Sequence, residues 1–325
     1  MDWNVDKWAE RILLKDRSSL ARAITLIESS KKQDRLMAKE LLAKLGLPKE
    51  QKLRLGITGP PGVGKSCLIE KLGMNFIEQN LSVAILSIDP SSQLHGGSIL
   101  GDKSRMLDLS RQEAAFIRPS PSGLHLGGTA RSTQDTILLF EAAGFDVIMI
   151  ETVGIGQSEI SIFHICDLAL MLVQPGAGDD LQNIKKGVME WADFFVISKA
   201  DGTTKELAEK TYQDLVHSLP GNSENSILKK QIFKSSIEDK ESIQTIAKAV
   251  WQHWESLKST EQLKHKRNLQ QADYFFYHWV ENFKEHLLFD QNFVNQLNTC
   301  REQLKIGAIS REEAMNLLIR FTFAV

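Results

Sequence analysis

The sequence is short of cysteine. Its 325 residues include three, Cys67, Cys166 and Cys300, odd in number and far apart. That excludes a disulfide framework and suits a reducing compartment. There is no Cys-x-x-Cys pair and no histidine-rich tract. His95, His125 and His164 are scattered, and His164 with Cys166 reads as packing beside a strand rather than as a ligand pair. Positive charge is not in excess: 39 Lys and Arg against 41 Asp and Glu give a net charge of −2. The basic stripe of a nucleic-acid binder is therefore missing. No apolar run approaches the roughly 20 residues of a membrane span. The first twenty residues are interleaved with charge and lack the apolar core of a signal peptide. These absences lead to the expectation of a cytoplasmic protein that engages neither nucleic acid nor membrane. Internal repeats and low-complexity tracts are also lacking.

What is present is an ordinary globular composition, 42% apolar and 25% charged, long enough for one large α/β domain with smaller helical pieces. Residues 1–50 read as a helical segment. Leu20, Ile24 and Ile27 fall on one face, Gly46 stands as a left-handed stop, and Pro48 lies just beyond. Residues 51–256 alternate short β-rich runs with helical stretches. The runs are Leu53–Thr58, Ser82–Ile88, Ala114–Arg118, Val147–Ile150, Leu168–Val173, Asp193–Ser198 and Gln231–Lys234. Several are apolar throughout, as strands covered on both faces are, so the fold class is α/β, a mainly parallel sheet with helices on both sides. Residues 257–325 read as helix only. They carry an aromatic stripe, Phe276, Trp279, Phe283 and Leu287, expected to be core or dimer contact, and a capping box at Ser310–Glu313.

The chemistry starts at Gly59-Pro60-Pro61-Gly62-Val63-Gly64-Lys65-Ser66, a match to the phosphate-loop pattern G-x-x-x-x-G-K-[ST] between an apolar run and a helical one. Glycines let the backbone curl its N–H groups around one anion. The following helix adds the positive end of its dipole. Lys65 supplies a mobile charge for the outer phosphates, and the Ser66 hydroxyl suits Mg²⁺. Carboxylates near a triphosphate imply an intervening cation. Glu151, closing an apolar run and followed by Gly154, fits a second phosphate-loop motif. Asp89 and Asp102 are further acidic candidates, with helix-cap or turn roles as the plain alternative. Ser198-Lys199-Ala200-Asp201 follows a run where guanine-specific proteins carry N-K-x-D. An aspartate there accepts two hydrogen bonds from guanine that adenine cannot donate. Ser198 stands in place of Asn, at an expected cost of about 1 kcal/mol.

With these residues, the chain resembles the MeaB/ArgK family of P-loop GTPases, to which the methylmalonic aciduria type A protein belongs. The resemblance rests on "GPPGVGKS", "DPSSQLHGGSILGDKSRM", "FIRPSPSGLHLGG", "IETVGIGQSE" and "QPGAGDDLQNIKKGVMEWADFFVISKADG", in that order along nearly the whole chain. It implies a P-loop NTPase domain of the SIMIBI class and a C-terminal helical arm that builds a homodimer. It implies a GTP-hydrolysing chaperone that gates adenosylcobalamin loading and protects or reactivates a B12-dependent acyl-CoA mutase, most often methylmalonyl-CoA mutase, with adenosyltransferase as a further partner. By position, Gly59 to Cys67 hold the phosphates of GTP or GDP, and Ser66, Asp89, Asp102 and Glu151 surround Mg²⁺. Lys65, Glu151 and Asp89 are the candidate catalytic groups. Ser198, Lys199 and Asp201 contact the base, and Ser235, Ser236 and Ile237 close over it. Gln182 and Lys185 lie in a switch segment coupled to the partner. Glu at 151 in place of Asp is a family trait, and Cys67 replaces a common Thr. No glutamine is placed by the sequence to orient the attacking water, Gln157 being available but reading equally as a structural polar residue, so slow intrinsic hydrolysis accelerated by the mutase is expected. A metallochaperone GTPase and a transport-associated ATPase or kinase are the competing functions.

Overall fold

Three helices lead the chain where the sequence pattern reads as one helical region. They are α1 (Val5–Leu13), α2 (Arg17–Glu28) and α3 (Lys32–Leu45). The computed structural model describes all residues except 1–3, 30, 47, 49, 90–105, 122–125, 153–161, 177–188, 190, 220–230 and 324–325. The first break falls at Lys15, with φ +57°, and Asp16, whose carboxylate accepts from the Ser19 N–H at 2.8 Å and caps α2. Leu20 and Ile24 are fully buried and Ile27 packs against the same core, as the spacing predicts. Gly46 ends α3 with φ +73° and ψ −173°, a positive-φ conformation that glycine alone adopts readily but that lies outside the left-handed helical region.

From Leu53 the chain alternates strand and helix. The strands are β1 (Leu53–Thr58), β2 (Val83–Asp89), β3 (Ala115–Pro121), β4 (Val147–Thr152), β5 (Leu168–Val173), β6 (Phe194–Ile197) and β7 (Gln231–Lys234). All seven predicted runs are strands. Among the described residues they form one parallel sheet in the order β3-β2-β4-β1-β5-β6-β7. β3 continues past its predicted end at Arg118 because it is the sheet's outer strand. Pro119 and Pro121 lack a donor and are tolerated where one side is unpaired. β4 likewise runs on through Glu151 and Thr152, since its ladder to β1 and β2 continues.

The helices are α4 (Lys65–Glu78), α5 (Leu107–Ser110), α6 (Leu126–Ala142), α7 (Lys205–Ser218), α8 (Lys240–Ser259), α9 (Gln262–Phe289), α10 (Gln291–Lys305) and α11 (Arg311–Phe323). Side chains alternate across the sheet. Val83 and Ile85 of β2 join the core that includes α4 and α8, while Ala84 and Leu86 join the one that includes α1–α3, α6 and α7. The two faces together explain why whole strands are apolar.

At the N-terminal edge of the sheet lies a buried charge cluster. Arg54 binds Glu141 with Nε at 2.9 Å and Nη2 at 2.6 Å. Arg267 binds Asp167 with Nε at 2.8 Å and Nη2 at 2.7 Å, and Glu141 with Nη1 at 3.0 Å. It also donates to the Lys52 carbonyl. Two cations and two carboxylates thus neutralise one another while joining β1, α6, the turn before β5 and the start of α9.

The chain divides into two compact units, Met1–Asn268 and Leu269–Val325, within α9. In the second, the capping box forms as predicted: the Ser310 N–H donates to Glu313 at 2.7 Å and the Glu313 N–H to the Ser310 hydroxyl at 3.2 Å. The aromatic stripe is not buried within the single chain. Phe276 is 60% exposed and Trp279, stacked on Phe283 at 5.6 Å, is 54% exposed. Among the described residues no helix is long and apolar enough to cross a membrane.

Candidate nucleotide site

β1 ends in the middle of the sheet, with β4 on one side and β5 on the other. The chain first builds outward to one side and later to the other, so the strand ends diverge and open a crevice there. The loop Gly59–Gly64 lies in it. Gly59 has φ +146°, and a Cβ there would meet the Leu172 carbonyl oxygen at 2.6 Å. Only glycine passes β5 this closely. Gly64, with φ +105° and ψ 23°, turns the chain into α4 without a side-chain cap. The first N–H groups of α4 therefore keep the polarity that favours an anion. Lys65 is buried and folds back, its ammonium donating to the carbonyls of Gly59 at 2.7 Å and Pro60 at 3.0 Å. Pro61 and Gly62 are the exposed residues of the loop, and Val63 is fully buried.

Beside the first turn of α4 stands Glu151, buried at the end of β4. Ser66 Oγ donates to its Oε1 at 2.9 Å and Ser87 Oγ to its Oε2 at 3.2 Å. A hydroxyl and a carboxylate next to a phosphate loop are hard oxygen donors, and they fit a magnesium-type cation that completes its shell with water and substrate oxygens. Thr152 donates to Thr58 at 3.2 Å, tying the ends of β4 and β1 together. Asp89 is the last residue of β2.

A second group of loops follows β6 and β7. Between them and the phosphate loop lies a cavity of about 210 Å³, walled by Val63, Leu172 and Val196 and edged by Cys67, Ser198, Lys199, Asp201, Ser235, Ile237 and Glu238. Asp201 accepts a hydrogen bond from the Ser236 hydroxyl. Backbone bonds from Ala200 to the Ser235 carbonyl at 3.0 Å and from Ser235 to the Ile197 carbonyl at 2.8 Å join the two loops. Lys199, at φ +52°, donates to the Gly62 carbonyl at 3.0 Å. A positive φ on a lysine is a local strain of about 1 kcal/mol, held here by contacts on both sides. The Ser198 hydroxyl donates its one proton to Val63 O at 2.7 Å, with Val173 O at 3.3 Å as the weaker branch. It braces the phosphate loop from the base side, a task not legible in the sequence.

The profile of the family described as methylmalonyl-CoA mutase-associated GTPase MeaB matches residues 20–292. The chain belongs to the MeaB family. It is a P-loop GTPase. Among MeaB relatives, the GTPase ArgK of Escherichia coli is 38% identical, covering 94% of this chain and 93% of the relative. The mitochondrial methylmalonic aciduria type A homolog of Caenorhabditis elegans is 34% identical over 100% of this chain and 84% of its own length. A crystal structure of a LAO/AO transport system kinase superposes with a TM-score of 0.72 at 30% identity, covering 99% of each chain.

Within this MeaB-type G domain the structure brings Lys65, Ser66 and Glu151 to one side of the phosphate loop, and Ser198, Lys199, Asp201 and Ser235–Ile237 to the other. Asp102, Gly154, Gln157, Gln182, Lys185, His95 and His125 lie outside the described residues. Cys166 is buried, where a Cβ on Gly56 would touch its sulfur, and burial pushes its thiol up to about 12. His164 is exposed against Trp191 at 5.7 Å. The two side chains therefore face different surroundings. Sequence reasoning missed Ser87 and Glu238. Ser87 had a signal: it is the polar residue in the inward row Val83, Ile85, Ser87.

Proposed function

We propose that this GTPase is a chaperone of a B12-dependent acyl-CoA mutase, methylmalonyl-CoA mutase in the first place. It gates adenosylcobalamin loading and protects or reactivates the mutase in the cytoplasm, with adenosyltransferase as a further partner. The observation that carries this reading is the extent of the family match. It takes in the phosphate loop, both base loops and the segment holding Gln182 and Lys185. The exposed Phe276 and Trp279 of the second unit support a homodimer, because aromatic surface of this kind is ordinarily covered.

In this reading the loop Gly59–Cys67, through the N–H groups of its residues other than Pro60 and Pro61, and the Lys65 ammonium hold the β- and γ-phosphates of GTP. Ser66 and Glu151, with Asp89 and Asp102, hold Mg²⁺. The ion when bound neutralises charge on the phosphate oxygens. Asp201 accepts from N1–H and the 2-amino group of guanine, its second partner Ser236 fixing its orientation. Val63, Leu172 and Val196 keep water from the base. Gly154 meets the γ-phosphate, so the segment that begins at Glu151 is held before hydrolysis and released after it. Gln182 and Lys185 relay that change to the mutase.

The test is GTP turnover of the purified chain with and without methylmalonyl-CoA mutase. Turnover is expected to be slow alone and to rise more than about tenfold with the mutase. Equal turnover in both would remove the chaperone reading and leave a GTPase only. The superposed LAO/AO transport system kinase suggests the competing assignment. It requires adenine at a site whose Asp201 has no matching pair of donors on that base.

A further inference from the structure

β2 carries one fully buried hydroxyl on the face that packs against α4. Val83 and Ile85 are apolar, and Ser87, next in that row, is 1% exposed. A buried hydroxyl needs a partner. Here it is Glu151, which the parallel register sets directly beside Ser87. Ser87 Oγ donates to Oε2 at 3.2 Å while Ser66 Oγ donates to Oε1 at 2.9 Å. One carboxylate is therefore held at both oxygens, by the helix after the phosphate loop on one side and by the sheet on the other.

We propose that Ser87 is a positioning residue for Glu151. It fixes the terminal torsion of the glutamate so that Oε1 stays turned toward Ser66 and toward the cation those two groups would share. The inference rests on the assignment of Glu151 to Mg²⁺ made above. Glutamate has one more rotatable bond than aspartate, and its last torsion has a broad minimum. Left alone, its carboxylate samples orientations that do not serve an ion demanding near-octahedral geometry. A hydroxyl on the far oxygen removes that freedom, as outer partners of ligating carboxylates do elsewhere. At 3.2 Å the bond is long for a hydroxyl on a carboxylate, so its effect is modest. In this assignment Ser87 acts through Glu151 alone.

The test follows release of a fluorescent GDP analogue across a magnesium titration, for the parent, Ser87→Ala, Ser87→Cys, Glu151→Gln and the Ser87→Ala/Glu151→Gln pair. The magnesium concentration that half-maximally slows release is expected to rise about fivefold in Ser87→Ala. Release in excess EDTA should not change, and Ser87→Ala should add nothing in the Glu151→Gln background. Ser87→Cys, nearly isosteric with a weak donor, should fall between parent and alanine. Parent-like magnesium dependence in both Ser87 variants overturns the inference. An equal change with and without magnesium also overturns it, since that marks a packing role. If Glu151→Gln itself matches the parent, the assignment of Glu151 to the ion fails first and the role of Ser87 falls with it.

Discussion

Ser198 stands where an asparagine would be expected to reach the base, and its hydroxyl is spent instead on the carbonyls of Val63 and Val173. Its contribution is to hold the phosphate loop against the base loop, so it should affect every nucleotide alike. Ser198→Ala is expected to weaken GDP and ADP binding together, by about fivefold each. Fluorescence titration with both nucleotides measures this, and a selective loss of GDP would assign Ser198 to the base after all. Several residues of the candidate site were legible from type and spacing alone. An ammonium, a hydroxyl and a curled glycine run are what a phosphate tail requires, and Lys65, Ser66 and Gly59 to Gly64 lie within eight positions of one another. Ser87 showed only as a polar residue in an apolar row, and its role did not show, because its partner is 64 residues away and only the register of β2 on β4 brings them together.

At the scale of elements, the seven strands were legible because a parallel sheet covered on both faces demands apolar runs. The boundaries that moved by two residues or more are those where polar or proline residues continue a strand, through Pro119 and Pro121 in β3 and Glu151 and Thr152 in β4, while β2 and β6 shifted by one residue at each end. The three-helix lead-in was not resolved by pattern, since its breaks are short, Leu14–Asp16 between α1 and α2 and residues 29–31 between α2 and α3. The buried cluster of Arg54, Glu141, Asp167 and Arg267 was invisible, its members drawn from four separate segments. It locks the start of α9 to the sheet edge opposite the nucleotide loops. Arg267→Met removes one cation from around two buried carboxylates and is expected to cost about 3 kcal/mol of stability. Denaturant unfolding of the first unit measures it. Nucleotide affinity at low temperature should be unchanged, because the cluster and the phosphate loop lie at opposite strand ends. A variant as stable as the parent would mean that Arg54 alone neutralises both carboxylates.

The whole molecule follows from one feature of its topology. Seven parallel strands point their C-terminal ends the same way, so the end of β4 and the loops after β1, β6 and β7 meet on one side of the sheet. That gathers a phosphate grip, a carboxylate and a base pocket from residues more than 170 positions apart, Gly59 and Ser235 among them. The second unit, Leu269–Val325, carries none of these loops in its sequence, and its exposed Phe276 and Trp279 are what the proposed homodimer would cover. In the function proposed above, the cavity between the loops after β6 and β7 and the phosphate loop selects guanine through Asp201. Calorimetric titration with GDP and ADP in magnesium, for the parent and Asp201→Asn, tests it directly. GDP should bind the parent at least about 100-fold more tightly than ADP, and Asp201→Asn should bring the two together. Equal affinities in the parent, or an unchanged preference in the variant, would place base recognition elsewhere.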